Sequence, residues 1–187
     1  MVDCGQLLLK CIMMPMKQIN IREAQPNEYK ALGQLMLRVF SSLEGFPSRA
    51  EHPTYYALLD NVGKLNEKVS TEILVARSTD NELLGGVVFV GNMQDYSSKG
   101  VTTTIQNASG IRLLVVSLAA RGQGVGKALT EACLQRARGL GSQQMILHTT
   151  QAMKVAWGMY ERMGFARLPS LDFRQGDLMV YGFYLDL

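Results

Sequence analysis

The chain has 187 residues, of which 47% are hydrophobic and 19% charged, with a formal net charge of +3. That length buries roughly two thirds of its unfolded surface in one core, which excludes a disordered or fibrous chain and a scaffold held by staples. No block of like charge is long enough to read as a nucleic-acid or membrane tract, so neither partner is expected.

Residues 1–17 hold an apolar stretch, but Asp3 stands where a leader would be positive, and Lys10 interrupts a run too short to span a bilayer. They read as an N-terminal extension ahead of a single domain over residues 18–187. Cys4, Cys11 and Cys133 are odd in number and lack CxxC spacing, so no disulfide framework and no metal site are expected, and a cytoplasmic location fits.

Gln18–Arg22 alternates as a strand does, and Pro26 and Asn27 supply a turn and a helix cap. Leu32, Leu35, Met36, Val39, Phe40 and Leu43 recur at helical spacing and predict a first helix. Tyr55, Leu58, Leu59, Val62, Leu65 and Val69 predict a second, weakened in the middle by Gly63. Glu72–Ala76 and Leu83–Val90, separated by Asp80-Asn81, read as a β-hairpin. The polar stretch 92–109 predicts a strand extension plus a surface loop of the kind that covers sites. Ile111–Leu118 is a strongly apolar strand, 126–140 a helix with Cys133 on its buried face, and Gln144–Thr149 a strand. A last helix runs from about Ala152 to Met163 and stops at Gly164, and Leu178–Leu187 closes the chain as a strand. Strands and helices in this order argue for a mixed sheet with helices on its faces, an α+β fold layered α/β/α.

The strand over 111–118 leads into Arg121-Gly122-Gln123-Gly124-Val125-Gly126-Lys127 at the head of a helix. A nucleoside triphosphate loop, GxxxxGK[ST], fails because Ala128 follows Lys127 and Arg121 stands at the first glycine position. A dinucleotide fingerprint fails because the glycines spell GxGxG and the next strand ends in His148-Thr149, without an acid for a ribose. A glycine turn before a helix can also serve packing alone, and the third candidate ligand is coenzyme A. Its pyrophosphate suits free amides at a helix N-terminus, and the stretch satisfies [QR]xxGx[GA].

LLVVSLAARGQGVGKALTEACLQRAR followed by LHTTQAMKVAWGMYERMGF resembles the core motifs of the GNAT superfamily of acetyl-CoA-dependent N-acetyltransferases, in order and separation. The resemblance spans residues 18–187 and is best over 111–166. It implies the GNAT acyl-CoA N-acyltransferase fold, a mixed, mostly antiparallel sheet flanked by about four helices. It also implies that pantetheine lies along the main chain of Leu114, Val115, Val116 and Leu118, with the Val116 amide facing the thioester oxygen as an oxyanion donor. Arg121, Gly122, Gln123, Gly124, Val125 and Gly126 would hold the pyrophosphate, and Lys127 either joins them or stands in solvent.

By the same alignment Tyr160 is the general acid, although it also lies on an apolar helical stripe and could be core. A phenol with a reference pKa near 10 can protonate a leaving thiolate of roughly 8.5. His148 coincides with a base position and could take the amine proton; a structural hydrogen-bonding role, or a water relay, is the alternative. Met153 stands where the family often has a cofactor-contacting asparagine, so that hydrogen bond is absent or comes from Thr150 or Gln151. Phe46, Tyr55, Tyr56, Asp95 and Arg112 are candidates for the acceptor pocket, with Arg112 facing either an acceptor carboxylate or solvent.

The expected activity is acetyl transfer from acetyl-CoA to a primary amine of a small molecule by direct attack, in a monomer or homodimer. A protein N-terminus or lysine as acceptor, and a non-catalytic acyl-CoA sensor, are the alternatives.

Overall fold

The computed structural model describes residues 18–96 and 105–187. In chain order the elements are β1 (Asn20–Glu23), α1 (Tyr29–Ser41), α2 (Pro53–Asp60), β2 (Thr71–Arg77), β3 (Leu83–Val90) and β4 (Ala108–Val116). They continue with α3 (Val125–Gly139), β5 (Gln144–Thr149), α4 (Lys154–Arg162), β6 (Ala166–Arg167), β7 (Phe173–Gln175) and β8 (Leu178–Asp186). The eight strands order as β1-β2-β3-β4-β5-β8-β6, with β7 also on β8. Only β4 and β5 run parallel; the other pairs are antiparallel. This is the mixed, mostly antiparallel sheet flanked by helices that the resemblance implies. No helix among the described residues is long and apolar enough to cross a membrane.

Alternation along the strands divides the core between the two faces of the sheet. Ile73, Val75, Val88, Val90, Val115 and Ile146 meet α1 and α2 on one face. Leu74, Ala76, Val87, Phe89, Ile111, Met145, Leu147 and Phe183 meet α3 and α4 on the other.

Local chemistry adjusts several expected boundaries. The start of α1 is set by Glu28 rather than Asn27: the Gln25 N–H donates to Glu28 Oε2 at 2.8 Å, and Glu28 also binds Arg22 and Arg77, tying the helix to β1 and β2. The second helix ends at Asp60 and a tighter turn over Val62–Glu67 follows, leaving Val69 fully exposed. Gly63 allows that turn to lie on Tyr29, since a Cβ there would stand 2.4 Å from the ring. Leu140, which shares the apolar face of the expected helix with Cys133 in sequence, caps α3 and is exposed. Val155 is likewise exposed, while Gly164, at φ +91°, stops the chain after α4 as expected. Residues 1–17, with Cys4 and Cys11, and residues 97–104 of the expected loop lie outside the described residues.

Two short strands escaped the sequence reading. β6 and β7 are held on β8 by Arg167, which forms a bidentate pair with Asp172 at 2.9 and 2.7 Å and donates to the Gly182 carbonyl. Its guanidinium also lies over Trp157, Tyr181 and Phe183. This clamp fixes the segment that delivers Phe173 to the site.

Glu28 gives the fold an acid-sensitive joint. Its hydrogen bonds to Arg22 hold its carboxyl at a pKa of about 2 against an ordinary 4.5. A depressed native value stabilises the fold above the unfolded pKa, and that contribution fades as pH falls from about 4.5 toward about 2. Glu28→Gln is expected to lower the urea midpoint at neutral pH and to flatten its decline through this window.

Candidate active site

The site begins where β4 and β5 part. Their parallel register runs from Ala108↔Gln144 to Ile111↔Leu147 and stops. Beyond it β4 continues on β3 alone, and His148 and Thr149 continue on β8 alone. The cause is a bulge: Val88 pairs with Arg112 and Gly86 with Val115, so Val87 faces both Leu113 and Leu114, and Leu113 adopts φ +53°. A bulge adds local twist, which the parallel partner does not follow. A left-handed leucine is strained and persists where its surroundings over-determine it. Gly85 permits the close approach on the β3 side, because a Cβ there would meet the Val115 carbonyl oxygen at 2.4 Å.

Past the bulge, the Ser117 N–H donates to the Leu84 carbonyl of β3 at 2.8 Å. Backbone groups alternate along a strand, so the Val116 N–H points to the opposite, open edge. The side chains of Leu114 and Val116 pack toward α3 and α4, and those of Leu113 and Val115 toward α1 and α2.

The Arg121–Gly124 turn follows in the open. Gly122 and Gly124 have φ of +76° and +82°, and a Cβ at either would meet nothing within 4 Å. Gly124 caps α3 without any side-chain hydrogen bond and no acid stands in the first turn, so no side chain of this segment answers the first amides. Bare amides, left-handed glycines and open space fit a pyrophosphate. Around this turn Arg121 is exposed, Gln123 folds back to donate to the Ala119 carbonyl, and Lys127 lies 3.5 Å from Glu131. Leu118 is exposed, Val125 is buried, and Gly126 lies between Val116 and Met159.

Tyr160, on α4, is buried beside Phe165, and its hydroxyl has no hydrogen-bond partner among the described residues. Burial pushes its pKa up, so the phenol stays protonated. Met153 packs toward α1 and α2, with the Thr149 hydroxyl 3.6 Å from its sulfur. The Thr150 hydroxyl oxygen is buried without a hydrogen-bond partner among the described residues.

Across the fork, on the α1/α2 face, Tyr96 bridges the two strands. Its hydroxyl lies 3.1 Å from the Ile111 carbonyl oxygen and 3.1 Å from His148 Nδ1, and its ring lies against Gly110. His148 Nε2 is 3.0 Å from the Leu171 carbonyl oxygen, which accepts only from an N–H. A neutral imidazole therefore carries its proton on Nε2 and presents a lone pair at Nδ1 to Tyr96. Phe173 meets the same ring edge-on, with centroids 5.2 Å apart, and the Arg112 guanidinium lies 5.4 Å from the centroid of Tyr96.

Phe46 and Tyr55 form an aromatic wall with Phe40 on this side. Tyr56 is deeper, wholly buried, and its hydroxyl donates to the Pro47 carbonyl. Asp95 is turned away and accepts from Ser70. Tyr96 and Phe173 were missed in the sequence: one sits in the polar 92–109 stretch and the other on an unforeseen strand, with no spacing signal for either. No cluster of His, Cys, Asp or Glu that could hold a metal ion occurs among the described residues.

The family model of the acetyltransferase (GNAT) family matches residues 36–165. The chain belongs to that family. GNAT members take an acetyl group from acetyl-CoA, and this chain is an N-acetyltransferase of that general kind. Among solved structures, a GNAT-family acetyltransferase from Staphylococcus aureus Mu50 is similar in fold, with a TM-score of 0.69 and 18% identity over 91% of this chain and 99% of the other. A GCN5-related N-acetyltransferase from Kribbella flavida gives 0.65 and 19%, over 90% and 98%. The yncA protein of Salmonella typhimurium, solved with its cofactor acetyl-CoA, gives 0.59 and 16%, over 91% and 94%. No curated protein sequence matches the chain.

Burial holds the His148 pKa below 6.5. A depressed histidine favours folding above its unfolded pKa, and that contribution is lost as pH falls from about 6.5 through the lower native value. Nitrogen NMR of the imidazole is expected to report the Nε2–H tautomer at neutral pH and a titration midpoint below 6.5; a midpoint above it would contradict the burial.

Proposed function

We propose that this GNAT protein acetylates the primary amine of a small molecule by direct attack of the amine on the thioester, without an acyl-enzyme. The observation that carries the reading is the fork. It turns the Val116 N–H to an open edge, with the bare amides of α3 on one side and the Tyr96–His148–Arg112 cluster on the other.

Arg121–Gly126 would hold the pyrophosphate of coenzyme A through the first amides of α3, with Lys127 beside them. The Leu114–Val116 main chain and Leu118 would carry pantetheine, and the Thr150 hydroxyl would supply the side-chain hydrogen bond that Met153 cannot give. At the tetrahedral stage the Val116 N–H faces the negative oxygen, which is where a fixed donor lowers the barrier. As the C–S bond breaks, Tyr160 donates its proton to the departing sulfur. The amine proton leaves toward His148. Both nitrogens of that ring are engaged, so His148 acts through the Tyr96 hydroxyl or through water.

Cys133 offers no competing covalent route: it is buried on α3 and desolvation pushes its thiol pKa up to about 12. Phe46, Tyr55 and Arg112 would line the acceptor pocket, with Tyr56 supporting them from behind. A cytoplasmic setting and a monomer or homodimer complete the reading.

A panel of amines with acetyl-CoA, read by free thiol, tests it; tight acetyl-CoA binding without CoA release from any amine would favour a sensor. Gly124→Glu forces an L-residue into a left-handed position and sets a carboxylate against the phosphates, and calorimetry is expected to show about tenfold or greater loss of CoA affinity. Tyr160→Phe is expected to lower kcat by about a hundredfold with acetyl-CoA affinity little changed, whereas turnover like the parent's would return Tyr160 to a packing role.

A further inference from the structure

The Arg112 side chain is only partly exposed, stacks on the Tyr96 ring, and makes no hydrogen bond or ion pair among the described residues. Alternation along β4 sets it there, opposite Val88 on the α1/α2 face, and the bulge that follows keeps Leu113 on the same face. Its charge acts on Tyr55, Tyr96 and His148 together, so it stands among the groups of the proposed acceptor side of the fork.

No acid answers it among the described residues. Asp172, the one acid acting on His148, is held bidentately by Arg167 and accepts from the Gly182 N–H. Asp95 faces Ser70, and Glu28 is committed to Arg22 and Arg77. Residues 97–104, SSKGVTTT, contain no acid at all.

A guanidinium taken partly out of water without a counter-ion is costly, and the cost is relieved when an anion arrives. Stacked on an aromatic face, it keeps its N–H edge free for the two-pronged geometry that a carboxylate matches. The same charge repels a second ammonium, so a polycationic amine is disfavoured here.

We infer that the acceptor is an amine that also carries a carboxylate, held by Arg112 against Tyr96. The amine then points along the fork to the Val116 N–H. This rests on the acetyl-transfer reading given above, and it adds the chemical class of the acceptor.

The test uses matched acceptors: amino acids, their carboxamides, their decarboxylated amines, and linear polyamines. Each is measured with the full chain in two ways, by turnover with acetyl-CoA and by calorimetric binding to protein saturated with CoA. The expected result is a preference of about tenfold or more in kcat/KM for some carboxylate-bearing amine over its carboxamide, expressed mainly in KM. In Arg112→Met that ratio is expected to fall to about one, and Arg112→Lys is expected to retain part of it. Thermal melts of both variants identify any that has failed to fold, and the parent's own ratio stands whatever they show.

Equal use of carboxylate and carboxamide, a preference for polyamines, or an unchanged ratio in a folded Arg112→Met would overturn the assignment while leaving acetyl transfer intact. Absence of turnover with every amine would overturn the transfer reading instead. Binding of carboxylate-bearing amines to the CoA-saturated protein would still support Arg112 in that case, and its absence would sink Arg112 as well.

Discussion

Everything in this molecule that bears on chemistry depends on one sheet failing to stay closed. Two parallel strands hold register for four residue pairs and then part. Unpaired main-chain groups inside a protein cost about 1–3 kcal/mol each unless something meets them. A closed β4–β5 ladder would satisfy them internally and leave no edge for a ligand. The parted ladder instead leaves an open edge, where the proposed pantetheine would pair, and the bulge at Leu113 lies where the strands part.

The fork also gives one strand two duties. Toward α3 and α4, β4 presents Leu114 and Val116 and runs into the glycine turn; toward α1 and α2 it presents Arg112 and Leu113 beside Tyr96. The proposed donor and acceptor sides thus share one backbone, with the bulge between them. The Arg167–Asp172 clamp extends the same logic at a distance, since it decides where β7 leaves Phe173 relative to His148.

Much of this was legible in the residues. Apolar periodicity located α1, the β2–β3 hairpin, β5, α3 and β8 because each carries a long one-sided pattern. The RGQGVGK stretch announced its turn because three alternate glycines stand between a strand and a helix; that Gly122 and Gly124 are left-handed came from the structure. The bulge was hidden, since a leucine at φ +53° looks in sequence like any other leucine in an apolar run. β6 and β7 were hidden for a different reason: they are short, and they exist through Arg167, whose partners lie five and fifteen residues away. Tyr96 fell in a segment whose polarity reads as loop. Its importance comes from Gly110, which leaves room for the ring, and from two strand ends that meet only in the fold.

The joint at the head of the fork has one proton too few. Three contacts meet there: Tyr96 with the Ile111 carbonyl, Tyr96 with His148 Nδ1, and His148 Nε2 with the Leu171 carbonyl. A phenol and a neutral imidazole own two protons between them, so at neutral pH only two of the three contacts are hydrogen bonds at any instant. The Tyr96 hydroxyl is then a two-position rotor, pointing either to the histidine or to the carbonyl of Ile111, the last β4 residue paired with β5. An added proton would complete all three bonds and stop the rotor, but burial opposes that charge. The seam between the two strands therefore ends in a latch that is always half engaged.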